Sequence, residues 1–242
     1  MPNLPVNNHG SNKFALVQGA SIRELDGDFN ASNLEWLTDA ELARYQSITS
    51  SSRKQQFLAG HFLVRKMASN VFKNLPHDWT YFQDAESLRR LKGNTDSLPE
   101  LFVSISHSGE WIAAAISDAP IGIDIETFSK QRDFIAIAKH VFSNPEICHL
   151  KFCDDEELKQ NFYLYWTLKE CVAKQYGTGL KFERSRLESP VLVYEGDQAS
   201  MQSWQCPDYV IALASEALLK VETQGLCDNA KHQSWKNTAS GQ

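Results

Sequence analysis

The chain has 242 residues, 42 % of them apolar, and a formal net charge of −6. That length and apolar share suit one large domain or two small ones with a sizeable core, and the acidic balance argues against a general nucleic-acid binder while leaving room for a local basic pocket. No apolar stretch approaches the length of a membrane span, Met1 to Gly10 is polar without a signal-peptide core, and the five cysteines (Cys148, Cys153, Cys171, Cys206, Cys227) are odd in number and scattered, which points to a reduced, cytoplasmic setting.

Residues 1 to about 12 are rich in Asn, Pro and Gly and read as frayed. Phe14 to Val17 reads as a strand. Thr38, followed three residues on by Glu41, has the form of a capping box, so a helix carrying Arg44 starts there. Ser52 is a candidate cap for a second helix, from about Arg53 to about Phe72, whose basic residues are Arg53, Lys54, Arg65 and Lys66. A polar stretch from Gln83 to Glu100 follows. Leu101 to Ile105 reads as a strand leading into Ser106-His107-Ser108-Gly109, Trp111 to Ser117 as another, and Asp118-Ala119-Pro120 as a turn. Asp133 to His140 is helical in pattern. The acidic run Asp154 to Glu157 opens a helix region that continues from Asn161 to Tyr176 and ends in Gly177-Thr178-Gly179, a helix cap and not a dinucleotide motif. Val191 to Tyr194 and Tyr209 to Ala214 read as strands, and the polar residues after about 225 as a disordered tail.

Two stretches carry the chemistry. In Ile121-Gly122-Ile123-Asp124-Ile125-Glu126 apolar and polar residues alternate, the pattern of a half-buried strand. Its isoleucines face a core, and Asp124 and Glu126 share the other face, roughly 6–7 Å apart along the strand. Two carboxylates side by side repel, and a hard cation with oxygen ligands resolves that repulsion. In the second stretch, Trp166 to Lys174, Glu170 and Lys174 stand four residues apart on one face of a helix. Packed beside the strand, that helix adds a third carboxylate and a positive charge, which together describe a site for a phosphate-bearing substrate. Taken alone, each stretch also has a plain reading, as a solvated strand edge and as a surface ion pair contributing a few tenths of a kcal/mol.

The surrounding blocks make the chain resemble the 4′-phosphopantetheinyl transferases of the surfactin-synthetase-activating type. The resemblance rests on Val103-Ser104-Ile105-Ser106-His107-Ser108-Gly109-Glu110-Trp111, on Pro120 to Glu126, and on Phe162, Tyr165, Trp166, Lys169, Glu170 and Lys174 running to Gly177-Thr178-Gly179-Leu180. A weaker block is Phe57 to Arg65. The resemblance implies an α+β fold of two similar halves related by a pseudo-twofold axis, each a small antiparallel sheet packed with a long helix, divided at residues 1–118 and 119–242. It implies a monomer with coenzyme A in the cleft between the halves. The implied reaction is magnesium-dependent transfer of the phosphopantetheine arm of coenzyme A to a serine of an apo acyl or peptidyl carrier protein, releasing adenosine 3′,5′-bisphosphate. Carried over by position, Asp124, Glu126 and Glu170 hold the metal and Glu170 is also the candidate base. Lys174 touches the pyrophosphate, and His107 the 3′-phosphate with Ser106 beside it. The basic residues of the first half that meet coenzyme A fall to Arg53, with Arg44 behind it. The family's Gly-Lys-Pro is not matched here; Lys92, Arg89 or Arg90 is the substitute.

A magnesium-dependent phosphohydrolase using the same carboxylates, and a carrier-binding module without catalysis, are the competing readings. A serine hydrolase built on Ser106 and His107 lacks a G-x-S-x-G elbow. A zinc site from His140, Cys148, His149 and Cys153 has no common ligand spacing.

Overall fold

The computed structural model describes residues 13–25, 34–128, 132–178, 191–193, 200–215 and 219–237. The expectations for residues 1–12, Gly179, Leu180 and Tyr194 lie outside these. In chain order the elements are β1 (Lys13–Ser21), a single-turn α1 (Ile22–Leu25), α2 (Asp39–Ser47), α3 (Ser51–Phe72), β2 (Trp79–Gln83), β3 (Arg89–Gly93), β4 (Glu100–Ser108) and β5 (Trp111–Ser117). There follow β6 (Ile121–Thr127), α4 (Phe134–Val141), α5 (Asn144–Lys151), α6 (Asp155–Gln175), β7 (Val191–Val193), β8 (Met201–Gln205), β9 (Tyr209–Ser215), β10 (Leu219–Gln224) and β11 (Lys231–Asn237). The fold is α+β.

The helix starts follow local chemistry. Thr38 caps α2 with the reciprocal Glu41 bonds of a capping box. α3 is capped by Ser50, two residues before the expected Ser52. The α6 cap is Asp154, whose carboxylate accepts from the Glu156 and Glu157 amides at 3.0 and 2.9 Å. Gly177, at φ +64°, turns the chain just beyond α6.

Two sheets stack between the two long helices. One sheet has six strands in the order β10-β1-β5-β4-β3-β2, the other five in the order β6-β9-β8-β11-β7. Alternation along each strand sorts the side chains. On β1 and β5, Leu16, Ile112, Ala114 and Ile116 face α3, while Ala15, Val17, Ala113 and Ala115 face the second sheet. On β9, Ile211 and Leu213 join that inter-sheet layer, and Val210, Ala212 and Ala214 face α6. Both faces of β5 and β9 are therefore covered, which is why these strands read as unbroken apolar runs. Ile121, Ile123 and Ile125 lie in the inter-sheet layer, each no more than 4 % exposed, so Gly122 and Asp124 are turned to α6.

Several expectations are corrected. The polar sequence after about 225 predicts a disordered tail, yet Lys231–Asn237 forms β11 between β8 and β7. The first sheet is antiparallel except for β10, which returns from beyond residue 119 to pair parallel with β1. The polar stretch Gln83 to Glu100 contains β3, paired with β2 and β4. Cys206 and Cys227 form a disulfide, whereas Cys148, Cys153 and Cys171 are free, so the cysteine argument for a wholly reduced protein no longer holds. Among the described residues no helix is long and apolar enough to cross a membrane.

Candidate active site

β6 is the edge of its sheet, and its outer side meets β4 of the other sheet. The two strands are joined through side chains instead of a backbone ladder. Every second residue of β4 near its end is a serine. Ser104 Oγ accepts the Ile123 amide at 3.0 Å and Ser108 Oγ accepts the Thr127 amide at 3.1 Å. These bonds satisfy amides that an edge strand otherwise leaves open.

Between these two, Ser106 donates its hydroxyl to Asp124 Oδ1 at 2.7 Å. Lys174 Nζ, reaching from α6, donates to the same Oδ1 at 2.6 Å and to Ser106 Oγ at 2.8 Å. Asp124 is only 4 % exposed, and its other oxygen, Oδ2, is buried without any hydrogen-bond partner. A buried acceptor left open costs about 1–3 kcal/mol, more when charged. Ser108 donates to Glu126 Oε2 at 3.0 Å.

Electrostatics ties Glu170 to this pair. Burial first, and then the Asp124 charge, pushes Glu126 above the ordinary carboxylate value; the Ser108 bond opposes the rise. Glu170 is raised by burial, by Asp124 and by Glu126, with Lys174 offsetting part. The three carboxylates thus share one region of concentrated negative charge, held by one lysine. Among the described residues no three acidic, histidine or cysteine side chains are gathered as a ready-made metal cage. The chemistry of the donors nonetheless fits a hard divalent cation: three carboxylates, one with an orphaned oxygen and two held above the ordinary carboxylate value.

His107 alternates to the opposite face of β4, toward the start of α3. Burial, then the charges of Arg53 and Lys174, hold its imidazole below the usual value. The start of α3 is fixed there by Gln56 Nε2, which donates to the Gly109 carbonyl at 2.8 Å, and Arg53 is exposed one turn earlier. Lys92 is not brought to this region. It pairs in register with Glu100 at the far end of β4, roughly 23 Å from His107 at the usual rise per residue. Arg90 is engaged with Asp84 and Glu100. Glu146 closes the capping box of α5 and pairs with buried Lys169 at 3.2 Å.

Residues missed in the sequence are Ser104, Ser108 and Gly122. The signal for the serines was present in the strict alternation of Ser104, Ser106 and Ser108. A Cβ on Gly122 would overlap the Cys171 carbonyl oxygen and the Gln175 nitrogen, so β6 and α6 touch backbone to backbone between Glu170 and Lys174.

Comparison with known proteins bears on what this arrangement is for. A model of the 4′-phosphopantetheinyl transferase superfamily matches residues 120–214, which hold β6, α6 and β9. The 4′-phosphopantetheinyl transferase Sfp of Bacillus subtilis strain 168 is 42 % identical over 156 residues, 60 % of this chain and 67 % of that protein. The chain belongs to the 4′-phosphopantetheinyl transferase superfamily. The transferase is also similar to the 4′-phosphopantetheinyl transferase gsp of Aneurinibacillus migulanus, 26 % identical over 217 residues, 83 % of this chain and 87 % of that one. The L-aminoadipate-semialdehyde dehydrogenase-phosphopantetheinyl transferase of Rattus norvegicus is 32 % identical over 143 residues, 55 % of this chain and 46 % of that protein.

Proposed function

We propose that this protein transfers the 4′-phosphopantetheine arm of coenzyme A to a serine of an apo carrier protein, with magnesium, and releases adenosine 3′,5′-bisphosphate. The observation that carries the reading is Asp124: a buried carboxylate with Lys174 on one oxygen, nothing on the other, and Glu126 and Glu170 close enough to feel its charge. Asp124, Glu126 and Glu170 would hold the magnesium. When bound, it would stabilise the charge of the pyrophosphate and of the leaving oxygen.

The chain's own groups have separate tasks. Glu170, on α6 beside Lys174 and facing Asp124 and Glu126, takes the proton of the carrier serine, a positioned base contributing ~10²–10⁴-fold. The serine oxygen then bonds to the phosphorus on the pantetheine side of the pyrophosphate, and the bond from that phosphorus to the bridging oxygen breaks. Lys174 faces the charge that develops on the leaving group. His107, whose imidazole is held down in part by the Arg53 charge, receives the 3′-phosphate together with Arg53; Ser106, on the other face of β4, is engaged with Asp124 and Lys174 instead. α3 and α6 each pack on the outer face of their own sheet, which supports a pseudo-twofold pair of halves with coenzyme A between them. A division at 118/119 has β10 crossing back to the first sheet. One chain supplies both sides of the site, so a monomer is sufficient.

The test is incubation with coenzyme A, magnesium and an apo carrier protein. A carrier mass increase of one phosphopantetheine arm is expected, and Glu170→Ala should abolish it while circular dichroism and melting stay native. Cleavage of coenzyme A without a carrier would instead identify a phosphohydrolase, and an unfolded Glu170→Ala protein would make that residue structural.

A further inference from the structure

We infer that Ser108 is a positioning residue: its hydroxyl aims Glu126 at the ion that Asp124, Glu126 and Glu170 are proposed to share. The inference rests on that reading of the carboxylates. A serine hydroxyl has one proton and two lone pairs. Ser108 Oγ accepts the Thr127 amide at 3.1 Å, so one lone pair is committed to a fixed backbone donor. Thr127 Oγ1 lies 3.2 Å away and is able to donate to the other lone pair. The proton is then left for Glu126 Oε2, at 3.0 Å. Anchored to the backbone of β6 itself, the hydroxyl fixes the torsion of a glutamate that would otherwise sample several rotamers. It occupies Oε2 and leaves Oε1 for the ion.

The same device is repeated two residues earlier, where Ser106 donates to Asp124 Oδ1 and leaves Oδ2 open. Ser106 therefore touches a carboxylate in this structure. The serine alternation of β4 thus matches the acid alternation of β6, hydroxyl to carboxylate, at the same spacing. Ser104 completes the row but meets only the Ile123 amide, with no acid opposite. That difference separates two roles. If the serines only hold the sheets together, Ser104 and Ser108 are equivalent. If Ser108 orients a ligand, it alone matters to the ion. Groups that orient metal ligands from behind typically change affinity 10–100-fold when removed.

The experiment is calorimetric titration of Mg²⁺ into protein saturated with coenzyme A and free of carrier, with melting curves as a check of fold. Native protein is expected to bind Mg²⁺. Ser108→Ala and Ser108→Val should bind it 10–100-fold more weakly, Ser108→Thr, which keeps the hydroxyl in the shape of valine, within about threefold of native, and Ser104→Ala as native does. Native-like Mg²⁺ affinity in Ser108→Ala would overturn the inference, and so would an equal loss in Ser104→Ala. Unfolding of both hydroxyl-free variants would also overturn it, because the hydroxyl would then be holding the sheets. Failure of the native protein to bind Mg²⁺ at all would instead remove the underlying metal reading.

Discussion

At the scale of single residues, the first half of the chain holds a buried charge network distinct from the carboxylate site. Arg65 is wholly buried on α3 and bonds both oxygens of Glu41, at 2.9 and 2.7 Å, as well as the carbonyls of Trp79 and His61. His61 Nδ1 meets Glu41 at 2.6 Å, and burial holds His61 below its usual value, so at neutral pH it donates as an uncharged ring. Burial alone would raise the Glu41 carboxyl; the bonds from His61 and Arg65 and the guanidinium charge outweigh it and bring it down to about 2, from 4.5. A depressed acid stabilises the fold above its unfolded pKa, and that stability fades as the pH falls from about 4.5 to about 2. The contribution is about 3 kcal/mol at neutral pH. Glu41→Gln should therefore be less stable than native by about that amount in urea unfolding at pH 7, with the gap narrowing steadily toward pH 2. A gap that does not change with pH would refute the charge assignment. Arg65 was legible in the sequence only as one of four basic residues on a helix, because nothing in its spacing says that Glu41, on the preceding helix, will meet it.

At the scale of elements, the placement of Glu170 and Lys174 depends on how closely α6 approaches β6, and Gly122 sets that approach. Its missing side chain lets the helix backbone at Cys171 and Gln175 rest on the strand. Both obstacles are backbone, so no side chain can swing aside for a methyl group. Gly122→Ala should push α6 off β6, at about 1–3 kcal/mol of stability, and a shift on the order of 1 Å at catalytic groups can lower turnover about 10²-fold. Comparison of kcat for carrier modification with the melting temperature checks this; native turnover would show that the helix accommodates the methyl. The alternation of β6 and the i, i+4 pair of α6 were readable because burial imposes strict periods on elements with one apolar face. β3 and β11 escaped notice for the opposite reason. Arg89–Gly93 and Lys231–Asn237 are mostly polar in sequence and are held by the ladders of their neighbours, so no apolar period marks them. β4 runs past its expected end at Ile105 through Ser108, where the β5 ladder continues and its polar side chains are satisfied by β6, a partner from the other sheet.

At the scale of the whole molecule, the C-terminal segment is what binds the two sheets into one body. After β9 the chain crosses to the first sheet as β10 beside β1, then returns to the second sheet as β11 between β8 and β7. The Cys206–Cys227 disulfide fastens the point of return, joining the end of β8 to the connection between β10 and β11 across a sequence separation of 21. A link of that span removes unfolded-chain entropy equivalent to about 3 kcal/mol. At roughly 2–4 °C per kcal/mol for a protein of this size, Cys227→Ser or full reduction should lower the melting temperature by roughly 6–12 °C. The free-thiol count of the denatured, oxidised protein should be three of the five cysteines. Cys206 and Cys227 pack in the inter-sheet layer with the β6 isoleucines, whereas Asp124 is turned to the other face of β6, toward Ser106 and Lys174, so carrier modification below the melting range should be unaffected by the loss of the link. Five reactive thiols in the oxidised protein, or an unchanged melting temperature on reduction, would remove the disulfide from the account of stability and leave the β10 and β11 ladders, the β4–β6 serine bonds and the inter-sheet core to hold the sheets.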